Sequence, residues 1–191
     1  MNVIPAPIDA TFKAVIFIGF HASTNNPAGV RAHTFSSATL TRVALNGAEM
    51  TEGSWAAAVA GHYGVPVIMM SGDDAAIAEV RKAIGNIEAA ETKRSLGFHS
   101  ALTITPQASA DLIASRVQAA FARVKDFTPY KVQTPVTVDI SFKHYMPAEV
   151  LTYLPMFERT GSHSIRYRAR DMVEAEVIRN FVEEYRPDLT P

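Results

Sequence analysis

The chain has 191 residues, 48% hydrophobic and 19% charged, with a formal net charge of −1 and no cysteine. That composition suits one compact body with a proper core, and it offers no massed Lys/Arg face for nucleic acid. The absence of thiols excludes disulfides and cysteine-held metals and fits a reducing cytoplasm. The longest apolar run, Ala14 to Phe20, is far below the roughly 18 residues that span a bilayer.

Met1-Asn-Val-Ile-Pro-Ala-Pro7 lacks the basic start and long apolar stretch of a secretory signal and reads as an entry segment. Ala14–Gly19 reads as a central strand, short, apolar and β-branched. His21-Ala-Ser-Thr-Asn-Asn-Pro-Ala-Gly29 is a polar loop rich in turn formers. Thr39–Leu45, Asn46-Gly47 and Ala48–Met50 resemble a hairpin, because Asn-Gly suits a two-residue turn with both φ positive. A helix is expected from about Thr51 to Tyr63, stopped by Gly64. Val65–Met70 is the second buried strand, with Ser71–Asp74 capping the next helix, Ala75–Ile84. Strand–helix–strand–helix order with apolar strands predicts an α/β fold, a mainly parallel central sheet flanked by helices.

Ile87–Lys93 is a further expected strand. Thr105-Pro106 is a helix start, with Ile113, Val117, Ala120, Phe121 and Val124 on the inward stripe of that helix. Pro135–Phe142 alternates as a half-buried strand should, and Ser164–Ala169 does the same with Ile165, Tyr167 and Ala169 on one face. Asp171 with Glu174 is a capping pair for a last helix whose Ile178, Phe181, Val182 and Tyr185 face inward. Residues 1–94 are thus expected to form the α/β core, and 95–191 a smaller α+β portion packed on the same body.

Three side chains stand out. His21 closes the first strand, His33 follows the polar loop in Val-Arg-Ala-His-Thr, and Glu52 opens the first helix. A strand end, a loop and a helix start can converge on the crevice at the carboxyl edge of a sheet, and imidazole with carboxylate is zinc-ligand chemistry. Each also has an ordinary reading: a satisfied strand-end histidine, a solvated loop histidine, a carboxylate favoured by the helix dipole. Arg31 either orients a carboxylate or stays in solvent. Glu49 is the competing carboxylate, and Asp73 and Asp74 read as ligands or as helix caps. His62 and Tyr63 read as structural; His99, His144 and His163 lack a partner at ligand spacing. No phosphate loop, dinucleotide fingerprint, nucleophile elbow or His-Glu-x-x-His is present.

Ile16–Ala22, Pro27–Gly29, Ala32–Thr34, Asn46-Gly47, Glu52-Gly53, Ala57–Gly61, Val65–Asp74 and Thr92-Lys93, in that order, together resemble the zinc D-aminopeptidases of the DppA type, peptidase family M55. The resemblance implies a hydrolase of D-amino-acid peptides and amides, releasing an N-terminal residue at a two-zinc site. It also implies a homo-oligomer, a ring-shaped decamer. By the same resemblance His21 and Glu52 match two metal ligands and His33 the catalytic histidine. The family's earlier Asp-x-Glu-Gly segment and a further zinc-binding histidine have no counterpart here; Asp9 is the only acidic residue before His21. The expectation is a piece of a longer enzyme, with two alternatives: a partner chain supplies the rest, or the chain is a non-catalytic scaffold relative with an incomplete metal site.

Overall fold

Strand β1 (Val15–Phe20) forms where the apolar run predicts it, in a computed structural model that describes residues 8–184. It lies parallel to β4 (Val67–Asp73), which lies parallel to β5 (Glu88–Gly97), and β6 (Ser100–Thr103) closes the far edge antiparallel. All seven residues of β4 are buried, as a central strand covered on both faces requires. Helices α1 (Glu52–His62), α2 (Asp74–Ile84) and α3 (Pro106–Ala122) flank this sheet. One cluster packs Phe17, Val67 and Met70 with Ala57, Ala76 and Val80; another packs Ile68, Met69 and Ala90 with Ala120.

A second, antiparallel sheet has the order β3-β2-β7-β9-β8. Its strands are β2 (Leu40–Leu45), β3 (Ala48–Glu49), β7 (Val136–Phe142), β8 (Glu158–Gly161) and β9 (Ser164–Ala169). The turn between β2 and β3 has φ of 49° at Asn46 and 85° at Gly47, the pair of positive angles that Asn-Gly accepts at little cost. Helices α4 (Tyr145–Leu151) and α5 (Met172–Glu184) cover this sheet. The two portions anticipated at 1–94 and 95–191 exchange elements: β2 and β3 join the second sheet, and β6 and α3 join the first.

Helix α1 lies between the layers, which explains its composition. Trp55, Ala58 and Val59 face the second sheet with Val43, Ile140 and Ile165, while Ala57 faces the first. A helix buried all round needs small residues rather than an amphipathic stripe. Gly61 shows how tight this is: a Cβ there would stand 1.8 Å from the Tyr130 carbonyl oxygen. Thr51 and Ser54 close a capping box at its start, so the first turn, and Glu52 on it, is fixed.

Several sequence expectations change. Strand β4 runs on through Ser71 to Asp73, because the Ser71 hydroxyl is satisfied inside the sheet by the Gly19 N–H at 3.0 Å. Asp73 alone caps α2, accepting from the Ala76 N–H. Strand β5 extends to Gly97 and returns as β6; that hairpin, α4 and β8 lack the periodicity that would announce them. Phe121, expected inward, is 51% exposed, since Ala120 fills the contact instead. On α5, Ile178 and Val182 pack against the core, Phe181 is 39% exposed, and Tyr185 lies outside the described residues.

Candidate active site

The chain leaves β1 at Phe20, so His21 emerges at the carboxyl edge of the parallel sheet, where open α/β sheets bind ligands. Asp73 ends the neighbouring strand, and Lys93 is its register partner on β5. The polar loop then returns: the His33 N–H donates to the Ala22 carbonyl at 3.0 Å, which brings the second histidine back beside the first. The two imidazole centroids are 4.8 Å apart, tilted by 46°.

The third residue arrives from α1. Glu52 Oε1 lies 3.3 Å from His33 Nε2, and both side chains are 27% exposed. The same oxygen accepts the Phe35 N–H at 2.7 Å, which fixes the carboxylate toward the histidines. On the other side of His33, Nδ1 stands 2.7 Å from the Arg31 carbonyl oxygen. A carbonyl only accepts, so Nδ1 carries a proton and Nε2 is the nitrogen turned to Glu52. His21 is held below its ordinary imidazole range, first by burial and then by His33 and Lys93, against the opposing pull of Glu52 and Asp73. A neutral imidazole with a free lone pair is the form that binds metal.

All three predicted residues therefore meet, and the others disperse. Glu49 turns away to accept from Asn25 Nδ2 at 2.7 Å. Asp74 receives the Ser95 N–H. His62 packs edge-on against Tyr63, and His163 bonds Ser162 in the turn before β9. His144 occupies the cap position of α4 without a capping bond. Among the described residues Arg31 pairs with no carboxylate, and His99 does have a partner. The Arg31 guanidinium lies 5.2 Å over Phe98, with Nη1 3.2 Å from His99 Nδ1.

Sequence reasoning missed Phe35. Its amide holds Glu52, its ring meets Trp55 edge-on at 5.6 Å, and the Arg179 guanidinium sits 4.1 Å above it. Its φ of 61° is unusual for a bulky residue, and no local sequence signal marks it. A 340 Å³ cavity walled by Phe17, Phe20, Phe35 and Trp55 has Glu52 in its lining.

Imidazole and carboxylate have the right donor chemistry for zinc, but they are two donors where catalytic zinc takes three from protein. Among the described residues, no group of three or more His, Asp or Glu side chains is placed to hold a metal ion. His21 and Glu52 fit part of a zinc shell, not the whole of one.

The family model described as D-aminopeptidase, peptidase M55, matches residues 3–181. The chain belongs to the M55 peptidase family. A curated D-aminopeptidase of Bacillus subtilis (strain 168) is 31% identical over 172 residues, 88% of this M55 chain and 61% of the relative. The solved Zn-dependent D-aminopeptidase DppA from Bacillus subtilis, described as a self-compartmentalizing protease, superposes with a TM-score of 0.88. It is 28% identical, over 93% of this chain and 65% of that one. The M55 chain thus spans less than two thirds of the length of either relative. Among the described residues, no helix is long and apolar enough to cross a membrane.

Proposed function

We propose that this chain carries part of the active centre of a D-aminopeptidase-like zinc hydrolase, which releases the N-terminal residue of short peptides or amino-acid amides. The observation that carries the reading is the approach of His33 Nε2 to Glu52 Oε1 at 3.3 Å, with the His21 ring beside it. His21 and Glu52 would hold metal, and polypeptide outside the described residues would supply the remaining donors. Zinc, when bound, supplies Lewis acidity and an activated water. His33 does proton work: with Nδ1–H engaged by Arg31, Nε2 takes up a proton and returns it to the leaving amine.

The zinc dependence of the solved relative supports the metal, and its self-compartmentalizing character supports a homo-oligomer, for which a decameric ring is our reading. The cysteine-free composition supports action in the cytoplasm. The shortfall of donors favours a second reading, a scaffold relative that keeps the fold without the chemistry. Zinc analysis of the purified protein, with a panel of D- and L-aminoacyl amides, separates the two. Less than one zinc per chain and no turnover favours the scaffold. Under the hydrolase reading, His33→Ala abolishes turnover and leaves zinc in place; loss of the metal as well would refute the role of His33.

A further inference from the structure

Two stretches turn apolar side chains outward where a solvated face would carry polar ones. The first is the β5–β6 hairpin. Arg94 and Leu102 are register partners, so Leu96, Leu102 and Ile104 share their outward face by alternation. With Phe98 at the tip, these side chains are 42% to 63% exposed. The second stretch is α4 and the turn after it. Ala148 and Leu151 pack into the core of the second sheet, which points Tyr145, Met146 and Val150 away from it. Tyr153, Leu154 and Met156 continue that patch, and its members are 40% to 74% exposed. At about 200 Å² for a large side chain, half exposed, six of them offer roughly 600 Å². That is the upper end of what a lone chain's surface carries. It approaches the roughly 800 Å² that each partner gives to a stable interface, with a polar rim supplying the rest.

We infer that these two surfaces meet head to tail, the β5–β6 hairpin of one copy seated on the α4 patch of the next. Charge selects this pairing over its rivals. Residues 92–104 carry Lys93 and Arg94 and no acidic residue, whereas residues 144–158 carry Glu149 and Glu158 and no Lys or Arg. Hairpin against hairpin would bring cations together, and patch against patch would bring carboxylates together. Hairpin against patch sets opposite signs face to face. Glu149 and Glu158 stand 3.6 and 3.8 Å from Arg159 and Arg168 of their own chain. Those pairs are solvent-exposed and weak, and a carboxylate has acceptor positions for a second cation. A contact using two different surfaces leaves one of each open at the ends, so it repeats until a ring closes. The inference rests on the homo-oligomer reading and deepens it by naming the faces. It also places the neighbour beside the active centre. Phe98, at the hairpin tip, accepts the Arg31 N–H at 2.9 Å, and Arg31 leads into His33.

The test is sedimentation velocity on the full chain, with one variant on each surface, Leu102→Glu and Val150→Glu. Both introduce the same charge, so the two altered surfaces cannot pair with each other. Each variant alone lacks one half of every contact, and its self-association should weaken by about 100-fold or more. Mixed, the Leu102→Glu chain still offers an intact α4 patch and the Val150→Glu chain an intact hairpin. A fluorescently labelled Leu102→Glu chain should therefore co-sediment with unlabelled Val150→Glu and not with unlabelled Leu102→Glu. Both positions are exposed, so the variants should melt within about 2 °C of wild type. If either fails to fold, Ile104→Glu and Met146→Glu replace them. An assembled wild type whose mass survives either folded variant overturns the inference and leaves the homo-oligomer reading standing. So does a mixture that sediments no faster than its components, which would point to hairpin–hairpin or patch–patch contacts. A wild type that stays monomeric throughout a dilution series sinks both, and other polypeptide then covers these surfaces.

Discussion

Replacing Tyr167 by Phe removes one donor from Glu174 while keeping the ring packed on β9. Glu174 accepts from Tyr167 Oη at 2.7 Å, from the Arg170 N–H at 2.7 Å and from Arg170 Nε at 2.8 Å. Together these hold its carboxyl at about 2, down from 4.5, with the Tyr167 bond the largest influence and burial opposing it. At 1.36 kcal/mol per pH unit the depression corresponds to roughly 3 kcal/mol. The Arg170 side chain is 84% exposed, so its share is screened. The Tyr167 share comes to about 1–2 kcal/mol, typical of a bond to a charged acceptor. Tyr167 is itself pushed up to about 12, by burial first and then by the same bond; that is one interaction seen from its other end and is not added. Because the folded-state pKa of Glu174 is the lower one, its stabilisation is complete above about 4.5 and fades as pH falls toward 2. Urea unfolding should therefore show a deficit of about 1–2 kcal/mol at neutral pH, or a Tm lower by about 3–6 °C. The gap should narrow as pH drops through that window. A deficit of the same size at about pH 2 would show that packing, not the charged bond, was lost.

Gly61→Ala should destabilise by about 3 kcal/mol or prevent folding, since the Tyr130 backbone occupies the added methyl; an unchanged melting curve would contradict the close approach. By NMR titration His21 should protonate below 6.5, and Glu52→Gln should lower it further by removing a charge that pulls it up. A midpoint above 6.5 in the metal-free protein would count against the burial argued for it. Glu52→Ala should abolish zinc retention while Glu49→Ala leaves it intact, because only the former faces the histidines; equal losses would remove the assignment.

Most of the parallel sheet was legible because its strands are short apolar runs and its helices begin on hydroxyl or carboxylate caps. The site's three side chains were legible through their place at element ends together with the family resemblance; neither histidine would have stood alone. The β5–β6 hairpin escaped because an edge hairpin needs little apolar alternation, so the expected strand stopped at Lys93, short of Gly97. What holds the site was equally hidden. The Phe35 amide and the Arg31 carbonyl act through the backbone, which side-chain identity does not encode.

Both of those backbone contacts come from residues in the left-handed region, at positions 31 and 35, on either side of His33. Selection for heat resistance would favour glycine or asparagine at both, since each relieves an unfavourable conformation. At Phe35 that gain would come with loss of the ring beneath Arg179, and at Arg31 with release of the hairpin tip. A hardier variant found this way should tolerate warmth better and organise its histidines worse, the usual trade between robustness and activity.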